Sequence, residues 1–389
     1  MPSGIDTYIR GILNWAPDDL DYTLFGATSD PRSRPVGEVA SLALGNRTIR
    51  FLPLCRMDPT AARGRVPLIL RYMWALRRLS RSGKLREFDI LDFHRIEPVA
   101  LFRSDHRPMN ILLHQDMSVL RSASSDIMWR HAPWLYEAME RRLFAQPDRI
   151  FSVRQTAVER YSRLYPQFSA KFAFLPTWVD NSFFQPERSA QARSSLKAQI
   201  LAGLGIHGPR RLLVTVGRLD HQKNPLLLLD AFREASAQMD DLHLAMVGDG
   251  ELRGRVAAAI RDANLEQKIS LLGVKGPADI ARLLQASDLF VLSSAYEGMP
   301  IAVLEALASG VPVATTDVGE IRLVVQPGLT GEISTGQTPV ELAAAIVGAL
   351  ANLERLRGDP CVQSIQPYLP DSVLSVMYDN HRRQSRGRP

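Results

Sequence analysis

The sequence predicts an α/β protein of two Rossmann-like domains facing across a cleft, and three observations carry that prediction. Short apolar runs suited to buried parallel strands alternate with helical runs along most of the chain. The alternation occurs twice, on either side of a polar stretch at 185–208. At 389 residues the chain is long enough for two domains, each with its own core.

In the first half, strands are expected at 22–26, 48–54, 88–94, 110–114, 149–153 and 171–175. The opening residues instead read as a glycine turn at Gly4 feeding a helix. The first strand of a doubly wound sheet is normally central, so its absence points to a start site placed too late or to a truncation. In the second half, strands are expected at 212–216, 242–247, 269–272, 289–292 and 311–315, with helices at 225–237 and 252–263. The expected divisions are a first domain over 1–184, a mobile linker over 185–208, a second domain over 209–367, and a terminal helix with a basic tail over 368–389.

Composition narrows the function classes. No run of about 18 apolar residues is present, nor a signal-peptide pattern, so the expected location is cytoplasmic, at most peripheral at the inner face of the plasma membrane. Cys55 and Cys361 are the only cysteines, too few for a disulfide scaffold or a zinc site. The net charge is +6, and residues 1–175 hold all of the excess, with 26 Lys and Arg against 18 Asp and Glu. Such asymmetry suggests an acidic partner for that half, and no motif supports nucleic acid.

Between Arg63 and Arg86 stand eight basic residues and no acidic one, while Ile69, Met73, Leu76 and Leu79 recur at helical spacing. Two readings are open for 63–86: a surface helix lying on anionic lipid, or a packed helix with a solvated basic face.

The chemistry concentrates in the second half. After the apolar run 289–292 comes a polar turn in which Gly298 permits the reversal, Pro300 suits the first helical position, and Gly310 suits a C-terminal cap. Glu297 and Glu305 are left over once packing is accounted for. One reading makes Glu297 a helix cap and Glu305 a solvated residue; the other has both accept bonds from sugar hydroxyls beside a helix N-terminus that attracts phosphate. Gly217-Arg218 and Lys223 follow another strand, and place a forked guanidinium and an ammonium where a diphosphate needs them.

Tyr296-Glu297-Gly298-Met299-Pro300, Leu304-Glu305-Ala306 and Gly310-Val311-Pro312-Val313 closely resemble the Glu-x7-Glu signature of retaining glycosyltransferases of the GT-B fold, group 1 or family 4. Ser293 stands where that family usually has proline. The resemblance implies a GT-B protein whose C-terminal helix crosses back to the N-terminal domain. It carries Arg218 and Lys223 over as diphosphate ligands, with Gly4, Gly217 and Gly248 in turns close to the nucleotide and Val274 at the base. It gives Glu305 the ribose hydroxyls, and Glu297, with Gly298, Met299 and Pro300, the donor sugar. Phe93-His94-Arg95 and His114-Gln115-Asp116 resemble the family's histidine loops, which places His114 beside the reacting centre and His94 on the acceptor side.

The implied reaction moves a hexose from a nucleotide-sugar donor to a saccharide or lipid-linked acceptor. The histidine loops and Thr177-Trp178-Val179-Asp180 resemble exopolysaccharide α-mannosyltransferases, leaning to GDP-mannose over a UDP-sugar. No Asp-x-Asp metal clamp is evident, so no cofactor and no essential metal are expected. Two alternatives stay open: a non-catalytic GT-B relic that binds nucleotide or a partner, and a sugar-nucleotide epimerase or hydrolase.

Overall fold

The computed structural model describes residues 4–44, 47–57, 67–114, 133–208 and 210–386. Arg63, Arg65, Gln115 and Asp116 lie outside them, as do the last three residues of the basic tail. The chain divides into two units, one of Met1–Leu175 with Leu374–Pro389 and one of Pro176–Val373.

Seven described strands of the first unit form two sheets, where the sequence suggested one. β1 (Thr23–Thr28), β2 (Ala40–Leu44) and β3 (Arg47–Arg56) give the order β1-β3-β2, with β1 parallel and β2 antiparallel to β3. β4 (Leu91–Phe93), β5 (Met109–Leu113), β6 (Arg149–Ser152) and β7 (Phe172–Phe174) are parallel in the order β4-β5-β6-β7. β1 and β4 are both edge strands of the described sheets. The chain enters this unit on a helix, Gly4–Asn14, whose Tyr8 hydroxyl donates to the Leu175 carbonyl.

β2 escaped the sequence reading. Its two buried leucines, Leu42 and Leu44, alternate with exposed positions over only five residues. The Gly45-Asn46 pair separating it from β3 is a two-residue hairpin signal. β5 is buried at every position, as a strand covered on both faces must be.

The second unit has one six-stranded parallel sheet of β8 (Arg211–Val216), β9 (Leu242–Val247), β10 (Ile269–Gly273), β11 (Leu289–Leu292), β12 (Val313–Thr315) and β13 (Gly331–Ile333). The order is β10-β9-β8-β11-β12-β13, a doubly wound sheet that reverses direction between β8 and β11. Ligands of such sheets bind outside the carboxyl ends of the strands at that reversal. Two apolar cores cover its faces, one around Phe290, Val303 and Leu307, the other around Phe232, Leu244 and Ile346.

Two expected boundaries are corrected. The stretch 185–208 is folded: Ser189 caps a helix over Ala190–Gly203, Leu201 is buried, and Lys197 pairs with Asp288 at 2.9 Å. Polar composition here marks the exposed side of a packed helix, not a linker. The segment 176–184 likewise belongs to the second unit, because Val179 and Phe184 enter its core and the Val179 amide donates to the Tyr368 carbonyl at 3.0 Å. The terminal helix runs over Pro370–Arg386, and from Leu374 it belongs to the first unit, as expected of a crossing helix.

Candidate functional site

The reversal between β8 and β11 brings together the loop after β8 and the turn after β11. Ser293 donates from Oγ to the carbonyls of Lys223 and Asn224 at 2.9 and 3.1 Å, and the Ala295 amide donates to the Gln222 carbonyl at 2.8 Å. Gln222 returns its amide to the Tyr296 carbonyl. The serine that replaces proline at 293 therefore ties one loop to the other.

Within this frame Lys223 Nζ lies 2.5 Å from Glu297 Oε1, and Ser294 Oγ donates to the same oxygen at 2.7 Å. Glu297 is nearly buried, and no side chain caps the helix Ile301–Ala308, so the capping reading of Glu297 is ruled out. Arg218 is more than half exposed; it pairs with Asp220 at 2.9 Å and donates to Gln222 Oε1 at 3.2 Å. A recess here is lined by Gly217, Arg218, Lys223, Leu292 and Ser293, among others.

Glycine is required where these loops touch. Gly248 has φ +137°, and a Cβ there would stand 1.8 Å from the Gly217 carbonyl oxygen. Its partner is thus the neighbouring loop, a role the sequence reading did not give it. Gly319, which that reading did not single out, has φ +56° and presses on the carbonyls of Gly298 and Glu297. The Glu320 amide donates to Gly298 O at 2.9 Å. Its signal was a glycine just after the β12 strand, a place where a sharp turn is needed.

Two donor-site expectations change in detail. Pro300 precedes the helix as its N-cap, with extended backbone, instead of occupying the first helical position. It has no N–H to offer, so the helix presents the first-turn amides of Ile301 and Ala302. Met299 is buried in the core with Val303 and Val318, so its side chain is a packing group. Gly310, at φ +72°, stands just past the helix as a C-terminal cap.

Glu305 sits on that helix outside the Lys223–Glu297 network. Burial pushes its carboxyl up to about 7, and the neighbouring Asp180 adds to the rise. Asp180 was visible in the motif at 177–180 but was given no part beside Glu305. Val274, just beyond β10, is 55% exposed; next to it, the Gly273 carbonyl accepts from the Gly248 amide at 2.8 Å.

The first unit holds the remaining residues. Gly4 opens the first helix, where a turn was expected to feed it. His94 Nδ1 and His114 Nε2 are 2.9 Å apart, and the Tyr8 ring meets His114 edge-on at 5.0 Å. Burial pushes His94 down to about 4 against the pull of Asp92, and pushes His114 to about 3, with His94 adding to the fall. Both rings are neutral at pH 7; one donates the shared proton and the other accepts it.

Behind them, Asp92 takes His381 Nε2 at 3.0 Å and the Asn110 amide at 2.8 Å. Burial acts against the Asp92 charge, but His381 and the Asn110 bond hold its carboxyl below the usual range. Asn110, wholly buried, also bonds Asn380 and Gln384.

Residues 197–357 match the family model "Glycosyl transferases group 1". A D-inositol 3-phosphate glycosyltransferase of Segniliparus rotundus is 27% identical over 222 residues, covering 56% of this chain and 48% of that protein. The UDP-Gal:alpha-D-GlcNAc-diphosphoundecaprenol alpha-1,3-galactosyltransferase of Escherichia coli is 35% identical over 164 residues, 41% of this chain and 40% of its own. The chain thus spans about half or less of the curated relatives it matches. Among solved structures, a sucrose-phosphate synthase of Thermosynechococcus elongatus aligns at TM-score 0.72 and 18% identity, over 98% of this chain and 93% of its own. The Anabaena protein HepE, in complex with UDP and glucose, aligns at TM-score 0.66 and 15% identity, over 93% of this chain and all of its own. These likenesses establish the GT-B fold.

Proposed function

From the match of residues 197–357 to the model of the group 1 glycosyl transferases, we propose that this protein is a retaining glycosyltransferase. It moves a hexose from a nucleoside-diphosphate sugar to a saccharide or lipid-linked saccharide in glycan assembly. The observation that carries the reading is the Lys223–Glu297 contact at the reversal of the sheet, with Arg218 on the same loop. As the bond from sugar C1 to phosphate oxygen breaks, charge accumulates on the diphosphate, and donors fixed at that oxygen lower the barrier. Lys223, Arg218 and the first-turn amides supply them without metal. In the free protein Glu297 neutralises Lys223; a bound diphosphate takes over the ammonium, and Glu297 turns to the sugar hydroxyls. Glu305 accepts from the ribose.

The acceptor hydroxyl enters from the face the phosphate leaves, its oxygen bonds to C1, and its proton passes to the departing phosphate oxygen. His114 and His94, both neutral, hydrogen-bond each other in the first unit and carry no step of this scheme. The E. coli relative's use of UDP-Gal favours a UDP-hexose, whereas the histidine loops lean to GDP-mannose.

The test is incubation with UDP-glucose, UDP-galactose, UDP-GlcNAc and GDP-mannose, each with saccharide acceptors and with or without EDTA, followed by mass spectrometry. One donor is expected to yield a hexose-extended product in EDTA, and Lys223→Ala to lower turnover by about 10²–10³-fold. Nucleotide binding with no transfer identifies a non-catalytic relic, and donor loss without an extended acceptor identifies an epimerase or hydrolase. Strict metal dependence overturns the metal-free scheme.

A further inference from the structure

The helix Leu68–Arg81 settles which of its residues face outward. Leu70, Arg71, Trp74, Arg77, Arg78 and Arg81 are all exposed, at helical spacings of three and four. At 3.6 residues per turn they share a sector of about 120°. Leu76 is buried, and Tyr72, Ala75 and Leu79 pack on the core of the first unit from the opposite side. The core therefore takes the apolar residues it needs and leaves two large ones on the basic face. Leu70 is 52% and Trp74 66% exposed, and the Arg78 guanidinium stacks over the Trp74 ring at 5.7 Å. No acidic residue occurs on the helix.

A packed helix with a merely solvated basic face does not require a tryptophan in the middle of that face. We propose that the exposed stripe of Leu68–Arg81 docks on an anionic lipid bilayer, with Trp74 and Leu70 entering the headgroup boundary and the arginines meeting lipid phosphates. Charge complementarity selects this occupant. A second copy would bring the same basic face and repel, because the segment 1–175 carries 26 Lys and Arg against 18 Asp and Glu. Nucleic acid leaves the Leu70 side chain without a partner. The proposal does not depend on the transfer chemistry, because neither stripe residues nor readout involve the donor site.

The experiment is co-sedimentation of the whole protein with vesicles of phosphatidylcholine alone or with 30% phosphatidylglycerol. Binding is expected on the anionic vesicles only, weakening with salt. Replacing Arg77, Arg78 and Arg81 by Ser lowers the partition coefficient by roughly 100-fold, at about fivefold per arginine. Leu70→Ala with Trp74→Ala lowers it by about tenfold or more, and Trp74 fluorescence shifts to the blue on binding. All these side chains are exposed, so unchanged melting of the variants verifies folding. Equal sedimentation with both vesicle types, no binding to either, or full retention after Leu70→Ala with Trp74→Ala overturns the proposal. Loss on arginine replacement alone, with equal capture on heparin, also overturns it, in favour of a soluble polyanion.

Discussion

The two units secure their polar centres by different means. In the second, backbone is pressed on backbone, Gly248 against Gly217 and Gly319 against Gly298, and the Ser293 and Gln222 side chains tie the loop after β8 to the turn after β11 through backbone carbonyls. In the first, β4 and β5 are held by side chains, Asp92 and Asn110 with Asn380, His381 and Gln384 of the terminal helix. Backbone contacts leave no room for adjustment, and beside them Arg218 pairs with Asp220 and Lys223 with Glu297. The side-chain network is costly to break but can be altered in parts.

Gly248→Ala tests the rigid arrangement most severely. A methyl group would have to occupy space 1.8 Å from a carbonyl oxygen, at a backbone angle that alanine rarely adopts. The expected outcome is loss of sugar-nucleotide binding by calorimetry and a destabilisation of roughly 3 kcal/mol or more in urea melts. A variant that binds donor normally removes the backbone account of this site.

The same difference explains how much was legible in the sequence. Arg218, Lys223 and Glu297 each lie within a short loop after a strand, and Glu305 on the helix that follows, inside contiguous motifs with glycines at the turns. Local spacing therefore suffices to single them out, and the structure brings Lys223 and Glu297 into contact. Gly319 was missed because its requirement comes from Gly298, a residue on another loop. Asp92, Asn110 and His381 were missed because well over half of the chain separates the last from the others, and a lone polar residue in a strand carries no period. The helix Ala190–Gly203 was taken for a linker because only Leu201 is fully buried on it. Split sheets were not foreseen because strand runs indicate neighbours in sequence, not hydrogen-bonded partners.

His381→Ala probes the side-chain arrangement. It leaves Asp92 buried with its Asn110 bond but without the ring that helps keep it ionised, a loss of about 1–3 kcal/mol for a buried carboxylate deprived of one hydrogen-bond partner. Asp92 has a depressed carboxyl, so its contribution is present above the unfolded value near 3.8 and is lost as pH falls through the folded one. The stability gap between wild type and His381→Ala is therefore expected to be full at pH 7 and to close in acid, by urea melts at several pH values. Sugar-nucleotide affinity is expected to stay at the wild-type level. A gap that is flat with pH assigns His381 a packing role only.

Glu305→Gln has the smallest effect and separates function from stability at one residue. Ribose hydroxyls donate, so the carboxyl must be ionised to accept both, and a free-protein value of about 7 means that donor binding expels a proton. Affinity for an intact sugar nucleotide, whose diphosphate does not titrate here, is expected to rise as pH climbs from 6 to 8, by up to about tenfold per unit below that value. The stability sign runs the other way. The folded value lies above the unfolded 4.5, so the fold bears no penalty below 4.5 and a growing one as pH rises toward 7. Glu305→Gln should bind more weakly at pH 8, show a flat pH profile, and melt higher than wild type at pH 8 but not at pH 4. If wild-type affinity is also flat from pH 6 to 8, Glu305 does not meet the ribose, and its burial beside Asp180 serves the packing of the helix alone.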